Sequence, residues 1–486
     1  MILLRKLAVK RTVIGLAAAG LVSGLLLVGC GGGSSSNSPA AETPAGTSLT
    51  LAGGLKGSSG GFVPASTGST SYDLLVGAPG ATNRKGALLV VKDGDVNFSS
   101  YIEGEAAGDY FGSSFASLGD VTGAGKQYFA VGAMYATGNA SLSGAVYVYE
   151  RTASGGTLVA KLKGDNALDR FGWDISSGDV NADGIRDIIV AAPYTFTDEA
   201  GYQSGAVYVY FGGSTLSATP DVKITGISLN SGIGLALEAG DINGDTVADL
   251  FASGGGKLGP RVMVFYGGTD FKTRVASATA ADVAFTTGKS GFGDAMAYLG
   301  DVDGDGIGDI AIGSPKYSTY GSTASYDNKG AVYIFKGSAT LPALVTYADA
   351  TFATYLLAHI KGENNGDRFG SSIAWVGGAT NDILIGARWA TGGTATLPLT
   401  DSGNVYRFSL TTLLGNPPAP NTTATIADAA QTYPAPLASG DYGRNLDIGN
   451  GVFFTGAHLL HTEEGVAYRK YLDPADPAAD EGSCCL

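Results

Sequence analysis

Phe171-Gly-Trp-Asp-Ile-Ser-Ser-Gly-Asp-Val-Asn-Ala-Asp-Gly-Ile-Arg-Asp-Ile-Ile-Val-Ala-Ala-Pro193, followed by Gly205-Ala-Val-Tyr-Val-Tyr210, contains the features that decide the fold. A Phe-Gly pair opens the unit, an Asp-rich loop interrupts it, and an apolar run ends at a small-residue corner. A second run then alternates aliphatic and aromatic residues with a period of two. That period belongs to strands, and the loop and corner residues belong to turns.

The unit recurs. Its apolar runs end at Gly77-Ala-Pro79, Gly132-Ala-Met134, Ala191-Ala-Pro193, Ser253-Gly-Gly255, Gly313-Ser-Pro315, Gly386-Ala-Arg388 and Gly456-Ala-His458. Phe111-Gly112, Phe171-Gly172, Ile233-Gly234, Phe292-Gly293, Phe369-Gly370 and Tyr442-Gly443 precede six of these ends, and Phe62 stands before the first. The intervals between Gly77 and Gly456 average about 63 residues, near the range of solenoids and propellers. Alternating segments such as Gly144-Ala-Val-Tyr-Val-Tyr149 and Gly330-Ala-Val-Tyr-Ile-Phe335 follow, and no stretch within the repeats has helical spacing.

Each unit accommodates four antiparallel strands, the size of a propeller blade. The expectation is an all-β, seven-bladed β-propeller over residues 48–472. An outer-type strand such as Thr157–Lys163 or Thr354–Lys361 precedes each Phe-Gly pair, and Ser48–Lys56 has the same character ahead of the first unit. Ser48–Lys56 is therefore expected to close the ring as the outer strand of the last blade, removing an exposed edge.

Composition agrees. The 486 residues include 76 Gly, where roughly 34 would be usual at about 7%. There is no Gly-X-Y period, which excludes collagen, and 44% hydrophobic residues exclude a disordered chain. A net charge of −14 argues against nucleic acid as a partner.

Residues 1–29 read as a targeting segment. Arg5, Lys6, Lys10 and Arg11 precede an uncharged apolar run from Thr12 to Gly29. That run could serve as a plain membrane anchor or as a signal peptide. Its ending, Leu27-Val-Gly-Cys30, resembles a bacterial lipobox, which implies lipidation of Cys30. Residues 30–47, rich in Gly and Ser, then read as a flexible tether. Gly31 after the cysteine resembles an outer-membrane sorting signal, so the expected location is a bacterial cell envelope with a lipid anchor.

The repeats resemble the FG-GAP repeats of the integrin α-subunit head, a seven-bladed β-propeller. Units three and five match best, while one, six and seven are degenerate. The leg domains of integrins, and the catalytic domain that accompanies such repeats in glycosylphosphatidylinositol-specific phospholipase D, find no counterpart, so the expectation is a propeller working alone.

Three units carry one nine-residue loop design: Asp179-Val-Asn181-Ala-Asp183-Gly-Ile185-Arg-Asp187, Asp241-Ile-Asn243-Gly-Asp245-Thr-Val247-Ala-Asp249 and Asp301-Val-Asp303-Gly-Asp305-Gly-Ile307-Gly-Asp309. Positions 1, 3, 5 and 9 offer oxygen side chains, and position 7 offers a carbonyl. Such a set suits Ca²⁺ rather than a softer metal, and FG-GAP loops of this spacing bind Ca²⁺. The competing reading is an acidic turn without an ion. About three ions are expected, pinning hairpins structurally. In unit two, Asp120-Val-Thr122-Gly-Ala124-Gly-Lys-Gln-Tyr128 keeps only the first carboxylate.

Catalytic signals are sparse. His359 reads as structural, and His458 with His461 makes only a two-ligand pair. No nucleophile elbow, P-loop or Rossmann fingerprint occurs. Cys484-Cys485 lies in a polar tail, residues 473–486, where adjacent cysteines pair poorly with each other.

The face opposite the acidic loops carries aromatic insertions: Tyr194, Phe196 and Tyr202 in one, Tyr317, Tyr320 and Tyr326 in another. These are candidate contacts for a protein or glycan ligand, on the face that integrin α-heads use. They could equally pack against neighbouring blades. The leading reading is a Ca²⁺-binding adhesion or scaffolding module; the rival is a carbohydrate-active lyase or hydrolase on the same face.

Overall fold

The computed structural model describes residues 59–485, apart from 94, 96–98, 198–201, 227–230, 276, 319–326, 348, 379, 395–396, 400–401, 416–420, 436–438, 450–451, 460–464 and 473–483. The targeting segment, the tether and Ser48–Lys56 lie outside the described residues. Among those described, no helix is long and apolar enough to cross a membrane.

The chain folds as an all-β propeller. The first blade runs Gly60–Pro64, Tyr72–Ala78, Ala87–Val91 and Ser100–Glu103, each strand antiparallel to the one before. The second repeats this meander with Phe111–Gly119, Tyr128–Ala133, Ala145–Thr152 and Gly155–Lys163. The third, fourth, fifth and sixth begin with the inner strands Ile175–Gly178, Leu237–Gly240, Ala295–Gly300 and Phe369–Gly377. Their outer strands are Val222–Thr225, Val283–Thr286, Leu356–Lys361 and Gln431–Pro434.

Among the described residues six blades are thus complete, rather than the seven expected. A further sheet holds Leu446–Gly449, Val452–Leu459 and Gly465–Tyr471, and among the described residues its outer edge is paired at two positions. Those pairs come from Cys484–Cys485 against Tyr468 and Arg469. Among the described residues this sheet has no full fourth strand.

Apolar packing joins each sheet to the next. Phe171 packs with Val146 and Val148 of the second blade and Tyr208 and Tyr210 of the third. The ring closes where Phe454 of the last sheet joins Phe62, Leu74 and Val76 of the first. The repeated motifs explain the junctions. Gly144, before the Ala145–Thr152 strand, bridges in parallel to Phe171 of the next Phe-Gly pair, and Gly86, Gly205 and Gly330 do the same. The Phe-Gly corner and the glycine before the third strand are two halves of one inter-blade contact.

Acidic side chains stitch the inner strands. Asp174 Oδ2 accepts the Leu237 N–H of the next blade at 2.8 Å, and Asp447 Oδ2 accepts the Phe62 N–H across the ring closure at 2.9 Å. Burial raises the pKa of both Asp174 and Asp447 to about 6. We predict that Asp447→Ala, which leaves the Phe62 N–H unpaired, costs about 1–3 kcal/mol, read as a lower urea midpoint. An unchanged midpoint would mean that the apolar Phe454 contact alone holds the ring.

Two features depart from the sequence reading. One-turn helices, Phe271–Arg274, Ala350–Tyr355 and Leu410–Leu414, occupy the connections before the outer strands of blades four to six. They are too short to show a 3.6-residue period. In addition, Leu344–Thr346 and Thr422–Thr425 pair in parallel with the outer strands of blades four and five. Each belongs to the following blade, so these outer edges are covered by a neighbour.

Candidate functional site

The three acidic loops link the first and second strands of blades three, four and five, all at one end of the sheets. Position 1 organises each turn. Asp179 Oδ2 accepts the Gly184 N–H at 2.8 Å, Asp241 Oδ2 that of Thr246 at 2.8 Å, and Asp301 Oδ2 that of Gly306 at 2.9 Å. The position-5 carboxylates accept the N–H of Ile185, Val247 and Ile307 at 2.8–2.9 Å.

The position-9 carboxylates begin the second strands and are fully buried. Each accepts one N–H from its own loop and one from beyond the third strand: Val180 and Gly212 on Asp187, Ile242 and Gly267 on Asp249, Val302 and Gly337 on Asp309. Burial, reinforced by the nearby loop carboxylates, raises Asp187 and Asp249 to about 7 and Asp309 to about 8.

The loops are not equivalent. Asn181 Nδ2 donates to Asp183 Oδ2 at 3.0 Å, and Asn243 Nδ2 to Asp245 Oδ2 at 2.9 Å. Asp303 replaces the amide in the third loop, where oxygens of Asp301, Asp303 and Asp309 lie within 4.8 Å of one another. Oxygens bound to one Ca²⁺ at about 2.3–2.6 Å stand at most about 5 Å apart, so the set fits that ion. In blade two, Asp120 keeps the turn, but Thr122 Oγ1 donates to the Tyr128 hydroxyl at 3.0 Å where the other loops place an aspartate.

Adjacent loops touch. The Asp120 carbonyl accepts the Arg186 N–H at 3.4 Å, and the Asp179 carbonyl accepts that of Ala248 at 3.1 Å. Tyr298 donates its hydroxyl to the Asp241 carbonyl at 3.1 Å.

On the opposite face, Tyr194 packs between Trp173, with ring centroids 5.5 Å apart, and the Arg170 guanidinium at 4.2 Å. Phe196 is exposed, on a short hairpin in which Phe196–Thr197 pairs with Tyr202–Gln203. Tyr317 packs edge-on against His359 and borders a core cluster, which fits the packing alternative for this residue. His359 stacks on Tyr333 at 4.2 Å, and burial lowers its pKa to about 3, which leaves it neutral and structural. Tyr320, Tyr326 and His461 lie outside the described residues.

The sequence reading missed a cationic cluster on this face in blade six. Arg368 lies 3.6 Å over the Trp389 ring, with Arg388 at 5.4 Å and Arg444 paired to Asp441 at 3.3 Å. One signal was present: Gly386-Ala-Arg388 carries Arg where three other units carry Pro.

Known proteins share this architecture in part. The FG-GAP repeat profile matches residues 171–210 and 297–335, the cores of blades three and five. Integrin alpha-PS5 of Drosophila melanogaster is 28% identical over 261 residues, covering 50% of this chain and 25% of that protein. The chain carries FG-GAP repeats and is an integrin-alpha-like β-propeller. Integrin alpha-3 of Cricetulus griseus is 31% identical over 268 residues, 53% of this FG-GAP chain and 24% of the integrin. Phosphatidylinositol-glycan-specific phospholipase D of Bos taurus is 39% identical over 120 residues, 23% of this chain and 14% of the phospholipase. The FG-GAP propeller matches about a quarter or less of the length of these relatives.

Proposed function

We propose that this FG-GAP propeller is a calcium-stabilised binding or scaffolding module, held at a bacterial cell envelope by a lipid on Cys30, that presents the face opposite its acidic loops to a protein or glycan. The convergence of Asp301, Asp303 and Asp309 carries the calcium reading. When bound, Ca²⁺ would neutralise carboxylates that otherwise repel within a few ångström. Asp179, Asn181, Asp183 and Asp187, with the Ile185 carbonyl, would hold one ion; Asp241, Asn243, Asp245, Asp249 and the Val247 carbonyl a second; Asp301, Asp303, Asp305, Asp309 and the Ile307 carbonyl a third.

The binding-module reading is favoured over a lyase or hydrolase by how the strongly shifted acids are engaged. Asp174, Asp447 and the position-9 aspartates have backbone N–H donors on their oxygens, as structural acids do. Turnover of a polysaccharide by the pure protein would support the rival. Lipidation is checked by the mass of the N-terminal peptide of the membrane-extracted protein, and Cys30→Ser should release the chain from membranes.

The raised pKa values give the calcium reading a pH signature. Without the ion, the folded protein holds protons on Asp187, Asp249 and Asp309 more tightly than the unfolded chain. That contribution to stability is full below a pH of about 4 and is lost as pH rises through 7 to 8. Calcium must displace these protons. We predict affinity lower by roughly tenfold or more at pH 6 than at pH 8, with proton release on binding in weakly buffered solution. An affinity unchanged between those pH values would count against these loops as the binding sites.

A further inference from the structure

The face opposite the acidic loops has its own charge pattern. The residue before the Phe-Gly or Tyr-Gly pair takes a left-handed conformation at Tyr110, Arg170, Arg368 and Asp441, with φ between 54° and 70°. Arg170 lies between the rings of Tyr135 at 5.1 Å and Tyr194 at 4.2 Å, and Arg84 lies 6.0 Å over Tyr110. Cations and aromatic rings therefore alternate from blade one to blade three and recur in blade six.

Where blade six meets the last sheet, cations converge on a shared carboxylate. Asp441 serves three groups: Trp389 Nε1 donates to its Oδ1 at 2.7 Å, Arg444 pairs with Oδ2 at 3.3 Å, and Arg388 Nε stands 3.9 Å from Oδ1. Asp294 also acts on Arg388, but its own carboxylate is paired with Lys316 at 2.9 Å. The Nε groups of both Arg368 and Arg388 are buried with no hydrogen-bond partner. Trp389 packs against both guanidinium groups, whose N–H donors are of the kind that match an oxyanion.

Asp294 and Lys316 also line a cleft of about 530 Å³ between blades four and five. Its walls combine the backbone of Gly254 to Gly256 with the exposed side chain of Leu235, over the buried Phe292. Polar backbone beside an exposed aliphatic side chain suits a pyranose ring, which has a hydroxyl rim and a C–H face, and the volume is that of a small-molecule site.

We propose that the Arg368, Arg388 and Arg444 cluster and the adjoining cleft bind an acidic polysaccharide, with one uronate unit in the cleft and a neighbouring carboxylate on the arginines. The inference rests on the reading of this face as the ligand surface. A polyuronate carries both a ring and a carboxylate in every unit, which an acidic peptide does not. The acidic loops are on the far face, so their carboxylates do not crowd the site. Such binding is by local recognition rather than by long-range attraction of a polyanion.

The test is calorimetric titration of the full calcium-loaded chain with hexagalacturonate, its fully methyl-esterified counterpart and hexaglutamate. The acid hexamer should bind with salt-sensitive affinity, and the other two roughly tenfold or more weakly. Arg388→Gln and Arg444→Gln should each weaken the acid hexamer by roughly tenfold while melting as the parent does. Arg444, 37% exposed, carries the test if Arg388→Gln does not fold. Equal affinity for the ester would overturn carboxylate recognition, and equal affinity for hexaglutamate would assign the cluster to acidic peptides instead. Binding that survives both arginine changes but is lost in Arg170→Gln would place the ligand elsewhere on this face. Failure of all three probes would overturn the inference and leave the calcium reading, which is scored by melting, untouched.

Discussion

Removing calcium should lower the melting temperature by on the order of 10 °C, and Asp303→Asn should cut the third site's affinity by roughly tenfold. An ion at about a hundred times its dissociation constant stabilises a folded state by about 2.7 kcal/mol per site. Three sites would sum to about 8 kcal/mol if independent, but their loops are bonded to one another. The Asp179 carbonyl accepts the Ala248 N–H, so ordering one loop steadies the next. Single-site variants are therefore expected to be non-additive, the double change Asp179→Ala/Asp241→Ala costing less than its parts.

Asp303→Asn is the sharper probe because it converts the third loop to the pattern of the other two. Its amide would be placed to donate to Asp305, as Asn181 does to Asp183 and Asn243 to Asp245. The variant should then titrate like its neighbours. If the chelator leaves melting unchanged, the loops are acidic turns and no more; if Asp303→Asn binds calcium as the parent does, the third carboxylate is not what sets that site apart.

What the sequence makes legible is whatever repeats locally. Gly144-Ala-Val-Tyr-Val-Tyr149 shows a strand by alternation, and Asp301 to Asp309 shows an oxygen-lined turn by spacing. Contacts that join distant, unrepeated residues leave no such trace. Asp447 and Phe62 are separated by 385 positions and meet through one hydrogen bond. Leu344–Thr346 reads as part of a loop, because only the edge of the previous blade makes it a strand. The arginines at the junction of blade six and the last sheet belong to three separate segments, at 368, 388 and 444, and only the ring brings them to one tryptophan and one aspartate. The difference between the third acidic loop and the other two was visible as Asp303 against Asn181 and Asn243. Its consequence required the hydrogen bonds.

The second large effect concerns the junctions, and two glycines separate its causes. Gly108 and Gly144 both hold left-handed backbone, at φ +91° and +87°, so alanine at either is strained. A Cβ at Gly108 would meet nothing within 4 Å. At Gly144 it would lie 2.1 Å from the Phe171 carbonyl oxygen and 2.6 Å from the Phe171 nitrogen. Those atoms are backbone of the next blade, held by the Phe171 ring, which packs edge-on against Tyr208 at 5.2 Å. A side chain could rotate away, whereas this backbone can yield only if blades two and three separate. Gly108→Ala is therefore predicted to cost about 1–2 kcal/mol from conformation alone. Gly144→Ala should cost about 3 kcal/mol or more, because the strain is joined by loss of packing between blades. Urea midpoints of the two variants measure the difference directly. Equal losses would show that the glycine before the third strand serves its own backbone conformation and not the junction.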